Sequence, residues 1–468
     1  MSARQADENQ KQGGTPMLWS NFMPDRTRRE PLYLQLAHFI MEEIRQSRVL
    51  PGTRLPSVRE LAAGLGLSRT TTETCYNKLT AEGYLVSKPQ SGYFVADLAV
   101  RPRTTQSVAT ARTETPVRYD FANNYVDGTT FPAVIWRRCL GRALHEKATL
   151  TGYGEPQGEP ALRQALAEYS HEARGVIAQP EQIVISAGVQ SLFVLLAALL
   201  ADRLFRSRKA IAWERPGFAQ GEEIFRRQGW DISHFDVENL AGTTARLLYV
   251  SPSNPYKGRS LTPEQRRSLL RWTRERDGYI LEDDYNGEFR YFATPVSSLQ
   301  GMGDGEHIVY LGSFSRLLFP SLRISYMVLP PGLLPDYQRL ARLYNQTSST
   351  VEQLALASFL REGHLRRHVK KLRRLYRRKG ELLQQALATH FGHDVEIRGY
   401  ESGLHMRIAV ASPCDAPALA AKAEAAGVRV RPIPASPDAP GPELLLSFAG
   451  IAEEDIDPAV ALLRKAWK

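Results

Sequence analysis

The chain has 468 residues, of which 43% are hydrophobic and 24% charged, with a formal net charge of +10. That length suits two or three domains around a large core. The longest apolar run, 191–201, falls far short of the roughly 20 residues that a membrane-spanning helix needs, and the polar opening does not read as a signal peptide.

Three cysteines (Cys75, Cys139 and Cys414) stand far apart, in neither a metal-binding nor a disulfide pattern. They predict a reducing cytoplasm and no metal. The basic balance favours a polyanionic partner.

Residues 1–25 read as a disordered tail. The first domain, 26–97, opens with Leu32, Leu36, Phe39, Ile40 and Ile44 at helical spacing, which predicts a helix over 31–47. The prolines and glycine of PGTRLPS break it. A short helix over 58–64 follows. Ser68 is placed to cap a third helix over 69–82, with Cys75, Tyr76 and Leu79 on its apolar face. YLVSKPQSGYFVA, 84–96, predicts a hairpin that turns at 90–92.

Three helices followed by a hairpin make a winged helix-turn-helix. Ser68, Arg69, Thr70 and Thr71 open its third helix, where hydroxyls, free amides and a guanidinium can meet bases and phosphates. Arg69 has the fork for guanine O6 and N7. Gly92 lets the wing tip approach the minor groove closely. The competing reading of such a helical hairpin is a protein-docking module.

Residues 98–118, rich in Thr, Arg, Ala and Ser, read as a flexible linker, or in part as an arm laid on the next domain. From 119 to 468, short apolar runs (IVIS, AIAWE, RLLYVSP, GYILEDDY, IVYLGS, ISYMVLP) alternate with helical patterns. This predicts an α/β domain with a mostly parallel sheet covered on both faces. VEIRGY, HMRIAV, VRVRPI and LLLSFAG then predict a smaller α+β subdomain.

Within this domain, Gly188, Val189 and Gln190 open an apolar helix whose free amides and dipole suit a phosphate, although a plain turn would read the same way. Ser313, Ser315 and Arg323 crowd one loop with donors fitted to the same anion. Asp283 ends a strand and points an acid at a ligand crevice; Asp284 beside it reads as structural. Residues 361–379 hold ten Lys or Arg against one Glu, with Leu365, Val369, Leu372 and Tyr376 at helical spacing. That is one amphipathic helix, carrying either a solvated basic face or a second surface for DNA phosphates.

Two resemblances follow from these residues. PLYLQLAHFIMEEI, LPGTRLPSVRELAAGLGLSRTTTETCYNKLTAEGYL and SGYFV resemble the GntR-family DNA-binding domain from end to end. The match implies a phosphate or base contact at Arg59 and departs from the family at Tyr93, where Thr is common. The rest resembles fold-type I, pyridoxal-phosphate (PLP) aminotransferases, in the version carried by MocR-type members of the GntR family. TGYGEPQGEPALRQAL is similar to the family's Y-G-x-x-x-G-x-x-x-L-R segment, and GSFSRLLFPSLR to its G-x-F-S-K-x-x-x-P-x-x-R.

The resemblance implies that Phe218 stacks on the pyridine ring and that Asp283 meets its nitrogen. It implies Asn254, beside Pro255, and Tyr285 on the 3-oxygen. The phosphate would lie on Gly188, Val189, Gln190, Ser313, Ser315 and Arg323.

The departures decide the expected chemistry. Arg316 stands where the family carries the lysine that bonds the cofactor, and a guanidinium stays protonated and is a poor nucleophile. Leu445 takes the place of the arginine that grips the substrate carboxylate, and Gln220 the place of an arginine in relatives that sense amino acids. Lys257 is the nearest substitute amine.

The resemblance therefore implies a cytoplasmic bacterial transcription regulator without catalytic residues. It would be a head-to-tail homodimer on two-half-site operator DNA, responding to a small-molecule effector, with PLP or an amino-acid-like ligand held non-covalently. The alternatives are an active aminotransferase with a DNA-binding appendage, and a pocket kept only as a dimer scaffold.

Overall fold

The computed structural model describes residues 21–97, 117–123, 125–146, 150–204, 209–254, 256–257, 260–289, 296–400, 403–435 and 439–468. The chain divides into two units at Arg112 and Thr113. Most of the expected tail and linker lies outside the described residues.

The first unit runs α1 (Leu32–Arg45), α2 (Val58–Leu65), α3 (Arg69–Ala81), β1 (Leu85–Lys88) and β2 (Gly92–Val95). Local chemistry sets the helix ends. Ser57 and Glu60 cap α2 reciprocally, and Gly66 closes it at φ +62°. Ser68 Oγ accepts from the Thr71 amide at 3.0 Å and starts α3 as predicted. Leu36, Ile40, Leu61, Cys75, Tyr76, Leu79, Leu85 and Val95 form a common core. The buried Tyr76 hydroxyl donates to the Pro56 carbonyl at 2.9 Å, which satisfies the phenol and pins α3 to the turn before α2. The hairpin pairs Leu85 with Val95 through to Lys88 with Gly92.

The second unit holds a seven-stranded sheet in the order β4 (Ile183–Ser186), β10 (Ser325–Val328), β9 (Ile308–Ser313), β8 (Tyr279–Asp283), β7 (Leu247–Val250), β5 (Ala210–Glu214) and β6 (Asp231–Phe235). Strands β5 to β9 are parallel; β10 runs antiparallel to both its neighbours. Strands β4, β7, β8 and β10 are buried at every residue, as a sheet covered on both faces requires. Flanking helices include α4 (Ala133–Ala143), α5 (Pro160–Arg174), α6 (Val189–Leu204), α7 (Ala219–Arg227) and α8 (Pro263–Arg276).

The smaller sheet is antiparallel, in the order β11 (Val395–Gly399), β12 (His405–Val410), β15 (Glu443–Ser447) and β14 (Arg431–Ile433). Two expectations change here. VRVRPI is not one strand: Val428–Arg429 is β13, parallel to β3 (Tyr119–Asp120), while Arg431–Ile433 pairs with β15. The basic stretch is not one helix either. Arg361 ends α9 (Thr350–Arg361), Gly363 takes φ +67°, and α10 spans His364–Phe391. Gly363 supplies the left-handed turn that separates them. Along α10, Arg366 pairs with Glu172, Arg377 with Glu381, and Arg373 donates to the Glu288 carbonyl. Lys379 is 1% exposed and pairs with Asp127 at 2.6 Å.

Candidate functional site

On the first unit, Arg59, Ser68, Arg69 and Thr70 are exposed, and Thr71 is half-buried. The Ser68 and Thr71 hydroxyls lie 2.7 Å apart within the cap, while Arg59, Arg69 and Thr70 face solvent. Gly92 takes φ +99° in the wing, with the Arg54 side chain 3.7 Å from where its Cβ would be. Lys88 lies over the Phe94 ring at 4.7 Å. Sequence reading passed over Arg54 and Lys88, two more cations beside the wing.

The second unit encloses a cavity of about 760 Å³ at the carboxyl ends of its parallel strands, where open α/β sheets hold ligands. Val189, Gln190, Phe218, Asn254, Asp283, Tyr285, Ser313, Ser315, Arg316 and Arg323 all line it. Residues widely separated in sequence thus converge on one space. Pro255 lies outside the described residues.

At one end, Gly188 takes φ +92° just before α6, whose first residues Val189 and Gln190 line the pocket. A Cβ on Gly188 would sit 2.2 Å from Nη2 of Arg323. That nitrogen donates to the Ala187 carbonyl and to Gln190 Oε1, both at 3.2 Å. Arg323 itself is left-handed at φ +54°, a strained position for a non-glycine residue. Ser313 Oγ accepts from the Ser315 amide at 3.3 Å and from the Ser325 hydroxyl at 3.0 Å. A helix start, a guanidinium and hydroxyls together suit a phosphate.

In the middle, Phe218 packs on Phe193, with ring centroids 5.9 Å apart. The Tyr249 hydroxyl donates to Asp283 Oδ2 at 2.7 Å. Burial pushes Asp283 up to about 7, against the pull of that hydrogen bond. Asn254 donates to the Pro216 carbonyl at 2.6 Å and accepts from the Tyr256 amide at 3.0 Å, which fixes its side chain at the pocket wall. Asp284, one residue beyond Asp283, accepts from Arg174 at 2.6 Å and from the Tyr310 hydroxyl at 3.1 Å, in the structural place expected of it.

Arg316 is buried, its guanidinium 5.7 Å from the centre of the Tyr285 ring. Burial holds it below its ordinary value, opposed by the Tyr285 and Tyr376 phenols. Burial first, then Arg316 and Arg431, hold the His405 imidazole well below its own. Lys257 pairs with Glu214 and Asp236, each at 3.1 Å. Burial would lower its ammonium, but the two carboxylates outweigh burial and raise it. An amine held protonated is a poor nucleophile.

Tyr249, Tyr256, His405 and Arg431 also belong to the pocket and were missed. The first lies inside an apolar run, the second after an Asn-Pro turn, and the others in alternating strands. No local signal marked any of them.

Residues 120–463 match the family described as aminotransferase class I and II, and residues 32–95 match the bacterial regulatory proteins of the gntR family. The chain is 37% identical over 460 residues to the uncharacterized HTH-type transcriptional regulator YdeL of Bacillus subtilis, covering 95% of this chain and 98% of that one. It is 30% identical over 480 residues to the probable rhizopine catabolism regulatory protein MocR of Rhizobium meliloti, covering 95% of each. Kynurenine aminotransferase of Pyrococcus horikoshii superposes with a TM-score of 0.66 at 21% identity, over 75% of this chain and 91% of that one, and so shares the fold. This protein therefore belongs to the gntR family of bacterial regulatory proteins, among the members whose second unit is a class I and II aminotransferase domain.

Proposed function

We propose that this transcription regulator holds PLP, or a close phosphorylated relative, non-covalently in its second unit and answers that ligand through DNA contacts of its first. The observation that carries this reading is a pocket that pairs a phosphate cradle with a buried arginine. The bare Gly188 backbone lets the Arg323 guanidinium lie against it, where a Cβ would clash, while the buried Arg316 stands where the resemblance puts the family's lysine.

The residues present fit the cofactor. Bound PLP supplies an electron-withdrawing pyridine. Around it, Arg323, Ser313, Ser315 and the α6 amides would hold the phosphate, Phe218 would cover the ring and Asp283 would face its nitrogen. Asn254 and Tyr285 would meet the 3-oxygen. None of these groups replaces the missing amine, and Lys257 is locked in its ion pairs. Transamination is therefore not expected. In the cell we place the protein in the cytoplasm as a homodimer, whose two winged helices suit two operator half-sites.

The test is a titration of purified protein with PLP, followed by borohydride reduction and intact-mass measurement. Binding should be reversible and leave no adduct. In Arg316→Lys the same treatment should fix one cofactor on residue 316. A labelled lysine in the unmodified protein would overturn the reading, as would failure of both forms to bind.

A further inference from the structure

We propose that His405 selects the ligand of this cavity: its Nε2 accepts a hydrogen bond from a ligand hydroxyl, and a buried water shared with Ser447 and Asn286 holds the ring in that tautomer. The inference rests on the pocket reading above and names an uncharged group that the ligand carries beside its phosphate.

Three chain segments bring these residues together. His405 on β12 lies directly opposite Ser447 on β15. The Ser447 amide donates to the Phe121 carbonyl at 2.7 Å, so the two residues form a pair without mutual backbone hydrogen bonds. The side chains of such a pair stand closest, with Cα atoms about 4.5 Å apart and both on one sheet face. Leu445, two residues before Ser447, shares that face and lines the cavity with His405. Asn286, just beyond β8, lays its side chain against Gly403, two residues before His405. A Cβ on that glycine would lie 3.0 Å from Asn286 Nδ2.

Their polar atoms share one property. His405 Nδ1, Ser447 Oγ and both ends of the Asn286 amide are buried without a hydrogen-bond partner among the described residues. The three residues are 5%, 2% and 0% exposed. Buried polar groups in native proteins are paired, and ordered water serves where no side chain does. One water with these three neighbours meets that need.

The tautomer follows from charge. Burial first, then Arg316 and Arg431, keep the imidazole neutral. A neutral ring has one N–H and one acceptor nitrogen. Both arginines line the cavity, and their positive charge favours a lone pair on that side of the ring. The proton then sits on Nδ1, toward the water, and Nε2 faces the cavity as an acceptor.

An acceptor at His405 beside a donor at Arg316 fits a group that is both. A hydroxyl donates and accepts. A carboxylate or aldehyde oxygen only accepts, and an ammonium only donates. Among phosphorylated pyridines the matching substituent is a hydroxymethyl.

The experiment compares pyridoxine 5′-phosphate with 4-deoxypyridoxine 5′-phosphate, in which a methyl replaces that hydroxymethyl, by calorimetry on the full-length protein. The hydroxyl probe should bind roughly 3- to 10-fold more tightly, as one neutral hydrogen bond allows. His405→Phe should bring the ratio to one. His405→Gln, whose amide oxygen can accept in a similar place, should keep part of it. Ser447→Ala combined with Asn286→Leu removes the partners of the water and should lower the ratio while leaving affinity for the methyl probe unchanged. Magnetic resonance of nitrogen-labelled histidine, with the His405→Gln spectrum identifying the signal, should find the proton on Nδ1. The methyl probe reports in each variant whether the pocket is still formed. Where a variant binds neither probe, the ratio in His405→Gln and the spectrum of the unmodified protein decide. Equal affinities in the unmodified protein, a ratio that survives His405→Phe, or a proton on Nε2 would overturn the role of His405 and leave the phosphate reading standing. Binding of neither probe by the unmodified protein would overturn both.

Discussion

Gly188→Ala isolates the phosphate cradle. The residue sits at φ +92°, where a side chain costs roughly 1–2 kcal/mol. That strain is a stability effect and should lower the thermal midpoint by a few degrees. The binding effect has a separate source. The new Cβ would lie 2.2 Å from Arg323 Nη2, so the guanidinium must swing away from the Ala187 carbonyl and Gln190 Oε1. A displaced Arg323 forfeits one charge-assisted hydrogen bond to the phosphate, about 1.5–3 kcal/mol, or roughly 10- to 100-fold in Kd. Gly229→Ala is the matched control: φ is +80° and nothing lies within 4 Å of its Cβ. It should carry similar backbone strain and bind normally. Calorimetric titration with pyridoxamine 5′-phosphate and thermal melts separate the two effects. Gly188→Ala binding within twofold of the unmodified protein would refute the cradle, as would Gly229→Ala losing as much affinity.

Other outcomes follow from single contacts. Arg69→Ala should weaken operator binding by roughly 1–3 kcal/mol in electrophoretic shifts with the gene's own upstream region; no change would mean that α3 does not read bases. Arg59→Ala should weaken binding with less sequence preference if its partner is a phosphate. Gln at Arg366, Lys370, Arg373 and Arg377 should leave the salt dependence of DNA binding unaltered, because three of the four already have protein partners; a slope flatter by about one per residue would make α10 a phosphate surface. Lys379→Met strands the Asp127 carboxylate and should cost about 3–5 kcal/mol in denaturant unfolding. Asp283 titrates near 7 folded, against an ordinary 3.8. The folded state therefore holds a proton that the unfolded chain has lost. The stability this gives is present below the unfolded value and is lost as pH rises through about 7. Asp283→Asn should flatten that decline in melting profiles recorded between about pH 5 and 8; an unchanged slope would place the titration elsewhere, at Glu282 or Glu288, which burial also raises to about 7.

What could be read from the chain was what is written locally. Ser68 announced the start of α3 because a cap needs only the next three residues. Asp283 was legible as the acid at the carboxyl end of its strand, where ligands bind open α/β sheets. The alternation in VRVRPI gave strand but not sheet, since no local feature says that Val428 joins Tyr119 while Arg431 joins Leu445. Arg431 was missed for that reason: its place in the pocket exists only once β14 has paired with β15. The break at Gly363 was masked because apolar residues at helical spacing resume just beyond it. Tyr76 was legible as core, but not its bond to Pro56, twenty residues away in sequence.

The split of that one strand has a mechanical consequence. Residues 117–122 are where the chain passes into the second unit from the first. They are stitched to the segment just before β14: the Arg118 amide donates to the Gly427 carbonyl at 2.8 Å, the Phe121 amide to the Arg429 carbonyl at 2.8 Å, and Arg429 pairs with Asp120 at 3.6 Å. Arg431, two residues on, holds the Ala122 carbonyl with its own guanidinium. The arginine that faces the cavity is therefore also a mooring for the chain leading back to the DNA-binding unit. An anion that drew this guanidinium toward the cavity would have to break its bond to the Ala122 carbonyl, at the point where the chain enters the second unit.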